Sequence, residues 1–226
     1  MKIPYHPLKD EIGEFLEKYK GKEIVMKLSL GSSSMIVKDN NPVGTMLEAI
    51  IVRNLTKEFD DLDAGESNKP PDIFDEKYKW NLEIKAFINT PGFDIYSISK
   101  FFGSKGKKDW LSKSLHKTDY LIFEYATKSN GKIFLKSFWH KKLHEILGYG
   151  GINELSVQYV KGQYKNIRPI APSTWDDSTK TPEQFIRHLK KFIGKLPTNI
   201  TGNKRQLKTQ ITKQFSDLKQ ELSKNE

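Results

Sequence analysis

The segment WNLEIKAF, residues 80–87, constrains the fold more than any other stretch of the chain. Apolar residues dominate it, with Glu83 and Lys85 interrupting at alternate positions. That spacing is the period of a β-strand, whose successive side chains point to opposite faces. Leu82, Ile84 and Ala86 then share one face, and Glu83, Lys85 and Phe87 share the other. A strand with one dry and one polar face must lie in a sheet and bury its dry side against a second layer. Glu83 and Lys85 project together, roughly 7 Å apart along the strand.

The rest of the chain supplies the partners for such a sheet. PDIF (71–74) precedes this strand across DEKYK, which reads as a hairpin connection and brings Asp72 alongside Glu83. DYLIFEYAT and GKIFLKSFWH read as two strands joined at Asn130-Gly131, a strong hairpin signal. Leu8, Ile12, Phe15, Leu16 and Tyr19 recur at helical spacing, with Gly21 where a C-cap would stand. Leu47, Ile51, Leu55 and Phe59 form one stripe of a second helix. Near the C-terminus, Thr181 reads as an N-cap, Pro182 as the first helical residue and Gln184 as the closing member of a capping box. Leu207, Ile211, Phe215, Leu218 and Leu222 form a narrow seam that predicts a helix packed on its own domain. EIVMKLSL reads as a short helix or strand and GSSSMIVKDNNPVG as a turn-rich loop. YSISKFF is ambiguous, and LSVQYVKGQYKNIRPIAPSTW holds one or two strands and a long loop. The order predicts an α/β (α+β) fold, a central mixed β-sheet flanked by helices.

A chain of 226 residues is long enough for one sizeable core, and 36% hydrophobic residues make it globular. It contains no cysteine, which excludes disulfides, thiolate metal sites and cysteine nucleophiles and fits an intracellular protein. No run approaches the roughly 18 apolar residues of a membrane helix, and the start lacks the apolar core of a signal peptide. Cytoplasmic location is the expectation. Lys and Arg number 38 against 28 Asp and Glu, a formal net charge of +10, which favours a polyanion partner. Charge alone does not separate a nucleic-acid binder from a lysine-rich soluble protein.

Two carboxylates brought together repel and need a cation. Asp72 and Glu83 offer hard oxygen donors of the kind that suits Mg²⁺, which takes only one or two carboxylates from protein. A lysine beside such a site can orient a water or stabilise developing negative charge. These are the requirements for hydrolysing a phosphodiester. The pattern Pro71-Asp72, ten residues, then Glu83-Ile84-Lys85 resembles the PD-(D/E)xK nuclease superfamily, to which most type II restriction endonucleases belong. Gly44…Leu47-Glu48, then SNKPPD, then LEIKA is similar in order and spacing to MutH and its restriction-enzyme relatives. The resemblance covers roughly residues 44–87.

It implies Mg²⁺-dependent cleavage of double-stranded DNA. Asp72 and Glu83 would bind the metal with the Ile84 carbonyl as a further ligand, Lys85 would act on the attacking water, and Glu48 would be an auxiliary acid. The chain is read as one nuclease domain over residues 1–226, with 44–170 as the catalytic and DNA-reading core and 200–226 as a C-terminal helix. A homodimer is expected, because a symmetric duplex site is most simply cut on both strands by a two-fold assembly. A cognate DNA methyltransferase would protect the host genome. The alternatives are a MutH-like nicking enzyme and a basic DNA-binding module without catalysis.

Further residues fit DNA contact. Lys105, Lys107 and Lys108 stand among glycines in FFGSKGKKDW, where lysines release counterions and glycines admit a phosphate chain. Lys161, Gln163, Tyr164, Lys165, Asn166 and Arg168 cluster in YVKGQYKNIRP. Gln and Asn can pair bidentately with adenine and Arg with guanine. Trp175, Asp176 and Asp177 follow and could take part. His140 and His144, four apart, would share a face if helical, but no third ligand accompanies them. His116 reads as a surface histidine.

Overall fold

The computed structural model describes residues 1–226 apart from 26, 31, 37–39, 67–69, 104–109, 129–131, 151–153, 178 and 225–226. In chain order they form α1 (Lys9–Glu17), β1 (Glu23–Ile24), β2 (Lys27–Leu30), β3 (Ser33–Ile36), α2 (Asn40–Glu58), β4 (Leu62–Ala64), β5 (Ile73–Asp75) and β6 (Trp80–Phe87). Next come β7 (Tyr96–Ser97), α3 (Ile98–Gly103), α4 (Trp110–Leu115), β8 (Thr118–Thr127), β9 (Ile133–Lys141) and α5 (Leu143–Ile146). The remainder is β10 (Tyr149–Gly150), β11 (Glu154–Leu155), β12 (Val157–Val160), β13 (Gln163–Ile167), a 3-10 turn at Pro172–Thr174, α6 (Pro182–Lys195), α7 (Thr198–Thr201) and α8 (Lys204–Ser223).

These elements divide into two compact units. The first comprises Tyr5–Pro91 and Asp119–Lys141 and is built on a six-stranded sheet of order β1-β9-β8-β6-β5-β4. The pairs β1–β9, β8–β9, β5–β6 and β4–β5 are antiparallel, and a parallel bridge joins Lys20 to Leu135 at β9. The α1 side chains Ile12, Phe15 and Leu16 and the α2 side chains Val43, Leu47, Ile51 and Leu55 share one core with Leu82, Ile84, Leu121 and Phe123 of the sheet. Both helices therefore cover the face to which Leu82 and Ile84 point. β8 is buried along most of its length, as a central strand should be. The N-terminal segment is held at two carboxylates: the His6 amide donates to Asp119 Oδ2 at 2.9 Å, and His6 Nε2 lies 3.0 Å from Asp75 Oδ2. Trp80 Nε1 donates to Asp119 Oδ1 at 3.0 Å.

Two expectations fail in this unit for local reasons. Gly21 does not cap α1, which gives way at Lys18. Its φ of +75° instead lets the chain turn so that its amide meets the Leu135 carbonyl at 2.8 Å. The stretch expected as a loop at 31–44 contains β3 and the start of α2, and β3 pairs with β2 from Lys27–Ile36 to Leu30–Ser33. Serine favours turns locally, and cross-strand pairing overrides that preference.

The second unit comprises Met1–Pro4, Gly92–Thr118 and Lys142–Glu226. Its three-stranded sheet, β12-β13-β7, and the β10–β11 pair accompany α3 to α8. YSISKFF divides into β7 and α3. Thr181 caps α6, its side-chain oxygen accepting from the Gln184 amide at 3.2 Å. Leu207, Ile211, Phe215, Leu218 and Leu222 of α8 are buried within this unit, where α8 packs on α6, α4 and α7. His144 lies on α5, whereas His140 ends β9 against Asp119, so the two do not share a helix face. His116 is buried, not a surface residue.

Candidate active site

The site forms where β6 outruns β5. The last residue pair between them is Ile73–Leu82, so the Ile84 and Ala86 amides lie beyond the start of β5. Two residues apart on one strand, they point to the same edge. Side chains complete the ladder there. Asp72 Oδ2, one residue before β5, accepts from the Ile84 amide at 2.7 Å. Glu48 Oε1, from α2, accepts from the Ala86 amide at 2.8 Å. Asp72 is thus held by a bend beside the strand rather than within it.

Lys85 Nζ is the convergence point of the polar face. It lies 3.2 Å from Asp72 Oδ2, 3.4 Å from Glu83 Oε2 and 2.8 Å from the Ile84 carbonyl oxygen. The ammonium occupies the position of a cation bound by two carboxylates and a carbonyl. That donor set, all hard oxygens, fits a divalent ion such as Mg²⁺. Among the described residues no group of three His, Asp or Glu side chains has metal-holding geometry. An ion here would rest on Asp72, Glu83 and the Ile84 carbonyl.

Burial sets the protonation states. It pushes the Glu83 carboxyl up to about 7, with Asp72 adding to the rise and Lys85 opposing it. Glu48 is also raised by burial, against the Ala86 amide and the Lys85 charge. Burial by itself lowers Lys85, but Asp72, Glu83 and Glu48 outweigh it and the amine is raised above its usual value. Lys85 is therefore an ammonium, suited to stabilising negative charge.

Two supporting residues carry no signal in the strand pattern. The Gly65 amide donates to the Asp72 carbonyl at 2.9 Å, and a Cβ at Gly65 would lie 1.8 Å from the Pro71 carbonyl oxygen. Only glycine permits that approach, which comes directly after β4. Tyr125 of β8 is the second. Burial and the Glu48 charge raise its hydroxyl, and a Cβ at Gly44 would lie 3.7 Å from it.

The DNA-contact candidates lie elsewhere. Lys105, Lys107 and Lys108 fall outside the described residues. Lys161, Gln163, Tyr164, Lys165, Asn166 and Arg168 belong to the β12–β13 hairpin or follow it, in the second unit. Val160 pairs with Gln163 across a two-residue turn, Lys161-Gly162, in which both residues have positive φ. Lys165 Nζ donates to Gln163 Oε1 at 2.7 Å. The Tyr164 ring packs against Tyr159 and Phe192. Asp94 holds the other two residues: it accepts from Asn166 Nδ2 and from Arg168 Nε, each at 2.8 Å. Trp175, by contrast, is buried and donates to the Ile170 carbonyl.

A helix-flanked mixed sheet with an aspartate at the head of one strand and Glu-x-Lys on the next is the arrangement expected of a PD-(D/E)xK nuclease, the class that includes most type II restriction endonucleases. Comparison with known proteins narrows this to a type II restriction endonuclease. A family model described as NgoBV restriction endonuclease matches residues 6–224, and the chain belongs to that family. It is 27% identical over 184 residues to type II restriction enzyme NlaIV of Neisseria lactamica, covering 79% of this chain and 73% of the relative. The solved NlaIV restriction endonuclease has the same fold, with a TM-score of 0.76, 24% identity, and coverage of 96% of this chain and 91% of that one. The activity is sequence-specific cleavage of DNA. Among the described residues no helix is long and apolar enough to cross a membrane.

Proposed function

We propose that Asp72, Glu83 and the Ile84 carbonyl hold a Mg²⁺ ion at which a phosphodiester of each strand of double-stranded DNA is hydrolysed, leaving a 5′-phosphate. When bound, the ion supplies an activated water and charge neutralisation at the phosphate. Lys85 orients the attacking water and stabilises negative charge developing on the phosphoryl oxygens. Glu48 acts as an auxiliary acid and holds the far end of the strand through the Ala86 amide. The β12–β13 hairpin, through Lys161, Gln163, Tyr164, Lys165, Asn166 and Arg168, reads bases in the major groove, which admits a two-stranded ribbon. Lys105, Lys107 and Lys108 contact phosphates. The enzyme works in the cytoplasm as a homodimer beside a cognate methyltransferase that modifies the same sequence.

The observation that supports this reading is the convergence of three oxygens on Lys85 Nζ within 3.4 Å. The test is digestion of supercoiled plasmid with Mg²⁺. Asp72→Ala and Lys85→Ala should each lower the cleavage rate by at least roughly 100-fold while binding of the uncleaved plasmid persists. Full cleavage by both variants would remove the assignment. Linear product with fixed ends supports cutting of both strands, and a persistent open circle would replace it with nicking.

A further inference from the structure

From Gln184 to Ser216 the chain carries eight Lys and Arg residues and no Asp or Glu, where its average acidic content would place about four. This stretch folds as most of α6, α7 and the first half of α8. Arg205, Thr209 and Lys213 succeed one another along one side of α8, and Lys204, Lys208 and Thr212 run beside them towards α6. A groove of about 480 Å³ is lined by Lys190, Lys204, Arg205, Lys208, Thr209 and Thr212. It continues into a second of about 570 Å³ that shares Arg205 and Thr209 and reaches Lys213. Lys204 Nζ donates to the Gly194 carbonyl at 3.0 Å, and a Cβ at Gly194 would lie 3.4 Å from Lys208 Nζ, so α8 lays two ammonium groups over α6.

Not every cation of the stretch is uncompensated: Lys191 and Lys195 lie 3.9 and 3.3 Å from Glu154, away from the groove lining. Lys77, Lys132 and Lys136 have carboxylate partners at 2.6–2.8 Å, and so does Lys219 on the other half of α8. Among the described residues no carboxylate pairs with Lys190, Arg205, Lys208 or Lys213. Like charges four apart on a helix, as at Lys204 and Lys208, repel. A surface that keeps its positive charge uncompensated attracts a polyanion. Among the described residues the exposed large hydrophobics, Met1, Val25, Ile50, Tyr159 and Val160, all lie outside this stretch, so its exposed face lacks the apolar side chains of a membrane-surface helix. The Thr209 hydroxyl and the side-chain amides of Asn203 and Gln206 add donors suited to phosphate oxygens.

We propose that this α6–α8 groove binds the phosphate backbone of duplex DNA outside the recognition sequence, as a sequence-independent site. The inference rests on the family's DNA-cleaving activity and on none of the roles given to Asp72, Glu83 or Lys85. It supplies the part of the affinity that releases counterions and holds the enzyme on DNA between sites.

The test compares the full-length enzyme with the quadruple variant Lys190→Gln, Arg205→Gln, Lys208→Gln, Lys213→Gln. The probe is a duplex of about 40 base pairs without a cleavage site, titrated without divalent metal from roughly 50 to 200 mM NaCl. The salt slope of log affinity should be shallower by about 3 to 4 in the variant, so that this increase in salt costs the wild type roughly 100-fold more affinity than it costs the variant. Plasmid digestion should yield the same fragments, more slowly, and Lys/Arg exchange at the four positions should restore the slope. An unchanged slope overturns the proposal. So does a variant that dissociates in sedimentation while binding the duplex normally, which would make the groove a contact between subunits. Failure of the plasmid to be cut by wild type would instead count against the nuclease reading.

Discussion

Asp72 Oδ2 serves two donors, the Ile84 amide and the Lys85 ammonium. A small displacement of the Asp72 backbone disturbs both, and Gly65 is the residue that controls it. In a Gly65→Ala variant the new methyl would meet the Pro71 carbonyl oxygen at 1.8 Å, so the 70–72 backbone must move. Misplacement of order 1 Å at a reacting group lowers rates by roughly 100-fold. Cleavage should fall by that order while the circular-dichroism melt stays cooperative. An unaltered rate would show that Gly65 does not position Asp72. At this scale Glu83 and Lys85 are legible in sequence, because strand alternation puts them on one face whatever surrounds them. Asp72 is legible through its distance from the pair. Gly65 is not, because close approach of two backbone segments leaves no periodic trace. Glu48 is only half legible: its helix is evident, but its bond to the Ala86 amide depends on β5 stopping short.

The β12–β13 hairpin is an element whose surface chemistry is set by a neighbour. Asp94, before β7, bonds Asn166 Nδ2 and Arg168 Nε, and Asn166 Nδ2 also donates to Gln158 Oε1 at 2.9 Å. The amide orientation of Asn166 and the direction of the Arg168 guanidinium are fixed by this clamp. Asp94→Ala releases both. If the hairpin reads bases, the loss of about 1–3 kcal/mol of discrimination should appear as new fragments from near-cognate sites in a plasmid digest, with cognate sites still cut. A digest identical to wild type would separate this element from recognition. The helices were the most legible elements. Thr181, Pro182 and Gln184 mark the start of α6 through local hydrogen bonding and φ, which require no distant partner. The β2–β3 hairpin was the least legible, because Ser33 and Ser34 carry no strand preference and become extended only by pairing with β2.

Stability of the whole molecule should weaken in acid. Burial, with Lys142 and Lys180, lowers His144 to about 4, the Glu183 charge opposing, and burial lowers His6 against the pull of Asp75 and Asp119. A histidine with a depressed folded-state pKa binds its proton more readily when unfolded, so unfolding is favoured as pH falls below about 6.5. The loss is complete for His144 near pH 4, where the folded protein also protonates, and amounts to something on the order of 3 kcal/mol. The unfolding free energy from urea titrations between pH 7.5 and 4.5 should fall accordingly, by roughly 2.303RT per pH unit for His144 once the pH is below about 6.5. His144→Gln should flatten part of that dependence, and an unchanged profile would mean that His144 is not the group responsible. On this scale the sequence determined the class of fold, the polar face of one strand and the basic character of the chain, because periodicity, short spacings and composition are properties of neighbours along the chain. Only the tertiary structure decided that Glu48 and Asp72 cap the strand that carries Lys85, that Gly65 sets the Asp72 backbone, and that two helices merge their lysines into one groove. Those arrangements depend on which segments meet in space, and burial and pairing select them after the local pattern is already spent.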